Sequence, residues 1–553
     1  MPYVPSAEQR AVIDCTAPVL VVLGGAGAGK TTTAAAAAAR RLAVDDARRA
    51  DIRRMTPIGF APTIPPAQRV LFLSFSRTSV SQIIDRATSV LGAYQNRIDV
   101  VTFHGLAWRV LKDFGRHYGA PHPLRVRSAA ETQLGVDLPG LTYDELIPAA
   151  ARILKVPTVA EFYERRYSTV ICDEFQDTSD EEWKFMQAIA PSAQRLLLGD
   201  VNQCIYAGMK RIDPAARVAQ ALALTGTVQI LLPPQSHRDP SGVLPAAAQA
   251  ALERRFDDAA IAEAVRQGRL VVHRASSEAV ASAALNVIAD ERSLGKSVSV
   301  YTHTNTSTAE LSTALSVAGI DHEQVGFTEA YGDGLQAQFQ LLRWALIRQP
   351  GARQALAVYL RAIIRGQQAN AQAQAILNKS NSTFETALRD VVADLKAAAE
   401  QTPDVEAILE VGRSAHSRLG FPRGEETWIL ANRQLKRAAR LFIDGRGLDA
   451  LEGEVDRLRA ETLVGIAAAR PKPVQVMNLH QTKGREADAT VLVLQDDEYH
   501  GRETEPFPTG SRLLYVCMTR ARERAHIVVP DQVHQLWLPL VNACIRIASE
   551  TSA

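Results

Sequence analysis

Several common signals are missing from this sequence, and each absence narrows what the chain can be. Its five cysteines, Cys15, Cys172, Cys204, Cys517 and Cys544, are scattered without C-x-x-C spacing, which points away from a disulfide framework and from a zinc site. Neither sign of charge is in excess: 62 Lys and Arg against 60 Asp and Glu leave a net charge of +2. Bulk charge therefore announces no nucleic-acid partner, and any basic track has to be local. No uninterrupted apolar run is long enough to span a bilayer, and the opening MPYVPSAEQRAV has no basic, apolar signal pattern. The expectation is a cytoplasmic chain with no membrane partner. What is present is an ordinary balance, 46% hydrophobic and 22% charged residues over 553 positions, enough for three or four globular domains with ample core.

One stretch organises the rest. In VLVVLGGAGAGKTTT, Val19 to Thr33, a short apolar run breaks into a glycine-rich turn ending in Gly29, Lys30 and Thr31, and an Ala-rich helical run follows. The spacing from Gly24 fits G-x-x-x-x-G-K-[ST] in the strand, turn and helix context that a P-loop requires. Gly25, Ala26, Gly27, Ala28 and Gly29 carry little Cβ bulk, so their backbone N–H groups can close around phosphate oxygens, while the helix N-terminus adds positive dipole. Lys30 is placed to reach β and γ phosphates, and Thr31, followed by Thr32, to ligate Mg²⁺ through its hydroxyl. A glycine-rich turn without a ligand would not need strand, glycines, Lys and Thr together.

Taken in order, Ser6 to Val12 opens a helix containing Gln9, and Met55 to Gln68 is a Pro-rich loop. RVLFLSFS, Arg69 to Ser76, is a second buried strand, the following RTSVSQIIDRATSVL is helical, and a third strand at Asp99 to Thr102 leads into Phe103 and His104. This βαβ alternation describes an α/β fold, a doubly wound parallel sheet with ligands at the carboxyl ends of its strands. Ala107 to Glu164 reads as a small helical insertion. The sheet resumes at Tyr167 to Cys172 and runs into Asp173, Glu174, Phe175, Gln176 and Asp177. Carboxylates at the end of a buried strand are costly unless they hold a cation or do chemistry. Beside a P-loop, Asp173 would hold Mg²⁺ and Glu174 would orient and deprotonate an attacking water. Another apolar run, Arg195 to Asp200, leads to Gln203, placed to read a γ-phosphate, and to Tyr206, placed to pack on a flat ligand.

Together these segments resemble the superfamily 1A helicases of the UvrD/Rep/PcrA type. The matching motifs are Gln9 in AEQRAV, GGAGAGKTT, LSFSRTS at Leu73 to Ser79, TFHG at Thr102 to Gly105, DEFQDT and GDVNQCIY, and Tyr143 to Leu146 is similar to a short acidic segment that the family carries before the DEFQDT strand. The second half adds a strand at Val228 to Pro233 followed by QSHRDP, then HQTKGRE at His480 to Glu486, and finally SRLLYVCMTRARERAHIVV at Ser511 to Val529. The resemblance implies two RecA-like, doubly wound parallel-sheet motor domains with helical insertions. The first motor domain would occupy 1–107 and 161–215 and the second 216–327 and 472–553, with insertions at 108–160 and 328–471. It implies ATP and Mg²⁺ as cofactors, with Gln9 at the nucleotide, His237 near the adenine, Glu486 on the ribose, and Arg238 and Arg520 reaching the γ-phosphate from the second motor domain, Arg520 as the arginine finger. The match of His480, Lys483 and Gly484 to the family motif would imply DNA-backbone contact near that loop, with His480 as the contacting residue. Phe75, Thr102, Phe103, His104 and Tyr206 would form the single-strand track, where aromatic stacking tolerates any base. Strand-end aromatics such as Phe75 and Phe103 also make sense packed inward. Arg522 and Arg524 read as a solvated basic face, and Leu448 to Val464 as an ordinary packed helix.

The function implied is an ATP-dependent motor moving 3′ to 5′ along single-stranded or partly duplex DNA. Two other readings stay open: a helicase-like ATPase component of an antiphage defence complex acting through a partner nuclease, and an RNA-directed or polynucleotide-independent NTPase. No carboxylate cluster resembles an appended nuclease, and the chain ends soon after the last motif. One departure stands out. Where the family commonly has an aromatic and then an Arg, this chain has Gly208 and Met209. A missing stacking platform predicts modest single-strand affinity, with Lys210 and Arg211 substituting phosphate contacts that salt would weaken.

Overall fold

The computed structural model describes residues 3–56, 63–75, 83, 90–136, 139–205, 212–325, 328–364, 368–400, 404–464, 472–495 and 503–552. They form two compact units, one built from Met1–Phe103, Leu154–Gln324 and Ala468–Ala553, the other from His104–Ile153 and Val325–Ala467.

The first unit holds two six-stranded sheets whose pairings are all parallel. The first contains β1 (Val19–Leu23), β2 (Arg69–Ser74), β3 (Ile98–Thr102), β6 (Tyr167–Cys172), β7 (Gln194–Gly199) and β8 (Thr227–Leu231), in the order β3-β2-β6-β7-β1-β8. Val, Leu and Ile dominate the central strands because both faces are covered, and Leu20, Val21, Val22, Val170, Ile171 and Leu196 to Leu198 are inaccessible to solvent. Helix α2 (Lys30–Met55) lays Ala34, Ala35, Ala37, Ala38 and Leu42 into this core. Helix α1 (Ala7–Asp14) starts with a reciprocal cap, in which the Ser6 hydroxyl accepts from Gln9 N and Gln9 Oε1 accepts from Ser6 N. The second sheet contains β9 (Leu270–Arg274), β10 (Val298–Thr302), β11 (Glu323–Gln324), β12 (Val474–Asn478), β13 (Ala487–Val493) and β14 (Ala521–Val529), in the order β11-β12-β10-β13-β14-β9.

Two expectations change here. The strand at Val228 to Pro233 is expected in the second motor domain, but β8 pairs in parallel with β1 from Thr227↔Val19 to Leu231↔Leu23. It completes the first sheet, and a boundary between 215 and 216 would cut that sheet. The helical segments 108–160 and 328–471, expected as separate insertions, contribute for the most part to one unit. Its core is built on buried Trp428, Tyr359, Phe339 and Leu335, and Ala130 and Val136 of the shorter segment pack with Val358 of the longer. A two-stranded parallel ribbon of β4 (Val126–Arg127) with β5 (Leu141–Thr142) also lies in this unit; at two residues each, these strands are too short to leave a pattern.

The helix Gly447–Val464 buries Leu451, Val455 and Ala460, as an ordinary packed helix should, but it also carries Arg459 inward. Arg459 Nη2 lies 2.6 Å from Asp333 Oδ1 and 2.7 Å from Glu131 Oε2, and all three residues are buried. Burial pushes the Asp333 carboxyl up to about 7 against the pull of Arg459. Removing the cation strands two buried carboxylates, so Arg459→Met is expected to destabilise this unit by about 3–5 kcal/mol, read as a lower urea midpoint. A carboxyl raised in the folded state binds its proton more tightly there than in the unfolded chain. Its contribution is therefore present at acid pH and lost as pH rises through about 7. Asp333→Asn should flatten the fall in urea midpoint between acid and neutral pH; an unchanged slope would assign the titration elsewhere.

Candidate nucleotide-binding site

The strands β6, β7, β1 and β8 are neighbours running in one direction, so their carboxyl ends stand side by side, about 4.8 Å apart. From β6 come Asp173 and Glu174, from β7 Asp200 and Gln203, from β1 the glycine turn, and from β8 the segment reaching His237 and Arg238. With Glu486 and Arg520, which immediately precede β13 and β14 of the second sheet, all of these but Asp200 line a cavity of about 330 Å³, and Asp200 stands behind it, accepting from Gln203 Nε2.

The turn is shaped for close approach. Gly27 and Gly29 have φ of +79° and +80°, and a Cβ on Gly27 would stand 2.2 Å from Ser236 Oγ. His237 N donates to Gly27 O at 2.8 Å, fixing the segment after β8 across the loop. Lys30 Nζ donates to Gly24 O at 2.6 Å and Gly25 O at 3.0 Å, and Tyr515 OH accepts from Ala26 N at 3.5 Å. Ala28 and Thr32 belong to the cavity wall, and Gln9 Nε2 donates to Ala28 O at 3.3 Å and lies 3.4 Å from His237 Nε2.

Opposite the turn, Thr31 Oγ1 lies 3.2 Å from Asp173 Oδ2. A hydroxyl beside a carboxylate is the hard-oxygen donor set that suits Mg²⁺. Burial, then the neighbouring Glu174 charge, pushes Asp173 up to about 6, against the pull of Lys30. Its environment is short of positive charge, which a divalent cation would supply. Burial would raise Glu174 as well, but Lys483, then Arg520 and Lys30, hold that carboxyl down at about 2.

From the second sheet, Arg520 Nη2 donates to Gln203 Oε1 at 2.5 Å. Its Nε is buried and makes no hydrogen bond among the described residues, as expected of a cation facing an anionic ligand. Arg238 bonds Glu486 and the Thr519 carbonyl, both on the second sheet's side. The resemblance places Arg238 on the second motor domain; it stands instead on the chain leaving β8 and reaches across. Arg522, read as solvated, lines the cavity and pairs with Asp488 at 3.0 Å and Glu486 at 3.7 Å.

The proposed single-strand residues divide. Phe103 is 1% exposed and its ring lies 5.1 Å from that of Phe75, so it packs inward and offers no face to a base. Thr102 closes β3 and is buried. In the second unit, His104 stacks on Tyr143 with centroids 3.7 Å apart and planes 12° from parallel. His480 is half-buried in the turn after β12. Tyr206, Gly208, Met209, Lys210 and Arg211 lie outside the described residues. Gln176, Asp200 and Tyr515 have no role assigned from sequence. Gln176 lies within DEFQDT, Asp200 within GDVNQCIY and Tyr515 within SRLLYVCMTRARERAHIVV, but nothing in those segments singles the three residues out.

Residues 8–209 match a family described as an AAA domain. The ATP-dependent DNA helicase PcrA of Bacillus subtilis (strain 168) is 35% identical over 68 residues, 12% of this chain and 9% of its own length. The ATP-dependent DNA helicase UvrD1 of Mycobacterium bovis is 26% identical over 212 residues, 34% of this chain and 27% of its own. The chain is thus similar to superfamily 1 helicases of the UvrD/Rep/PcrA type. The matched part of this UvrD/PcrA-like chain spans about a quarter or less of these relatives. No helix among the described residues is long and apolar enough to cross a membrane.

The loop geometry yields a paired test. A strained non-glycine backbone costs about 1–3 kcal/mol, so Gly27→Ala is expected to weaken binding of a fluorescent ADP analogue by about ten- to a hundred-fold. Gly25→Ala, whose Cβ would meet only Tyr515 OH at 3.8 Å, should bind nearly as the wild type does.

Proposed function

We propose that this chain is an ATP-dependent motor on single-stranded DNA, a translocase with some capacity to separate strands, moving 3′ to 5′ as the superfamily 1A resemblance implies. On this reading each six-stranded sheet with its helices is a motor domain, and the segments 108–160 and 328–471 are its helical additions. The observation that carries the reading is the contact of Arg520, ahead of β14, with Gln203, beyond β7. It sets a cation of one sheet on a γ-phosphate-reading residue of the other.

ATP is the substrate. Backbone N–H groups from Gly25 to Gly29 cradle its phosphates, Lys30 meets the β and γ groups, and Gln9 and His237 stand at the base. Thr31 and Asp173 would hold Mg²⁺, which would supply positive charge to offset that of the phosphates. Glu174 takes a proton from a water whose oxygen bonds to the γ-phosphorus, while the bond to the bridging oxygen breaks and ADP leaves. Lys30, Arg238 and Arg520 offset charge on the transferring phosphoryl. Because these cations stand on both sides of the cleft, closure depends on the γ-phosphate, and hydrolysis removes the reason for it. His104, Phe75 and His480 remain candidates for the strand; the buried Thr102 and Phe103 do not.

Lys30→Ala should abolish hydrolysis, and Glu174→Gln should bind ATP without turning it over. Arg520→Ala should lower kcat by about 10³-fold or more with ADP affinity nearly intact, because the guanidinium meets only the group that ADP lacks. Equal loss of ADP and ATP affinity would make Arg520 a binding or folding residue instead. Stimulation of hydrolysis by single-stranded DNA over RNA tests the polymer, and the same ATPase rate with and without either would remove the translocase reading.

A further inference from the structure

Lys483 is not available for the DNA-backbone contact that the family resemblance implies near its loop. Such a contact needs an accessible ammonium, but Lys483 is 4% exposed. It belongs to the loop between β12 and β13 and points into the first sheet's acidic end, where its Nζ forms an ion pair with Asp177 and lies 3.8 Å from Glu174 Oε2. Asp177 is itself inaccessible to solvent, so this cation is its counter-charge.

Glu174 needs holding. It is a non-glycine residue at φ 54°, ψ 40°, a left-handed backbone conformation that persists only where neighbours enforce it. Its N donates to Asp173 Oδ1 at 3.1 Å, and its carboxylate accepts from Gln176 Nε2 at 2.8 Å. The same Gln176 Nε2 lies 3.3 Å from Asp177 Oδ2, and Gln176 Oε1 accepts from Asp200 N at 3.0 Å. Asp200 Oδ2 accepts from Gln203 Nε2 at 2.7 Å, and Gln203 meets Arg520. One continuous polar path therefore runs from Lys483 through Asp177 and Glu174, Gln176, Asp200 and Gln203 to Arg520. Both of its ends lie on second-sheet loops, and every residue between them lies on the first.

We propose that Lys483 is a positioning residue for Glu174, aligning the water-activating carboxylate only while the loop between β12 and β13 is docked against the first sheet. The inference rests on the ATPase reading above and deepens it: hydrolysis then depends on the second sheet at two points, with Arg520 acting at the γ-phosphate and Lys483 at the base. An ammonium suits the task because it is a compact charge with three donors and can serve two carboxylates at once.

The test measures hydrolysis by the full chain without DNA, affinity for a fluorescent ADP analogue and, in a separate titration, affinity for single-stranded DNA. Lys483→Met is expected to lower kcat by about 10²-fold, the size of loss that misplacing a catalytic group causes, with KM and ADP affinity essentially unchanged. Lys483→Arg should recover most of that loss by restoring the charge. On a Glu174→Gln background, Lys483→Met should add no further loss in single turnovers, because it acts through that carboxylate. Should the Met variant fail to fold, Lys483→Gln carries the same expectations. Losses that multiply in the double variant would overturn the proposal, as would an unchanged kcat with weakened single-strand binding, which would assign Lys483 to the DNA. Since the hydrolysis assay contains no DNA, a lack of stimulation by single strands would sink the translocase reading and leave this result readable.

Discussion

A buried charge must find an opposite one within reach, and the first unit is arranged around that requirement. Asp173, Glu174 and Asp177 follow the end of an apolar strand; Asp173 and Asp177 are buried and Glu174 is partly buried, so water solvates them poorly. The fold supplies cations from three directions: Lys30 from the turn after β1, Lys483 from the loop after β12, and Arg520 from the start of β14. Two of those three come from the second sheet. Joining the sheets is therefore the same event as neutralising the acidic end, and the cleft acquires its chemistry from a condition that any folded chain with these carboxylates has to satisfy.

Parallel topology makes the arrangement possible. A parallel sheet places every strand's carboxyl end on one edge, so residues as far apart in sequence as Gln9 and His237 come within 3.4 Å without any long loop. The glycine turn, DEFQDT and Gln203 are legible in the sequence because each follows an apolar run of strand length and carries a residue type that a strand end would not otherwise tolerate. Arg238 is legible as a residue and misplaced by domain, since the strand before it, TVQIL, reads the same whichever sheet it joins. Phe103 shows the opposite failure: an aromatic at a strand end looks alike in sequence whether it faces a ligand or the core, and only packing against Phe75 decides. The inward turn of Lys483 is hidden for a related reason. Its partner Asp177 is over 300 positions away, so no local spacing could reveal the pair.

The second unit answers the same requirement in a different way. Arg459 meets Asp333 and Glu131 in a buried cluster, and its effect is to fasten two chain segments together. Periodicity correctly marks the helix carrying Arg459 as packed, but it cannot show that one of the packed side chains is a cation, because an Arg on an otherwise amphipathic helix is ordinarily assigned to solvent.

The position of β8 bears on how the chain can be divided for study. A fragment ending at residue 215 would leave β1 as the margin of the first sheet, with the row of backbone donors and acceptors that now face Thr227–Leu231 left open. Such an uncovered margin recruits strands from other molecules, so that fragment would be prone to associate edge to edge. A self-contained first half has to run at least through Leu231, and carrying it on to Arg238 keeps the His237 amide that clasps the glycine turn.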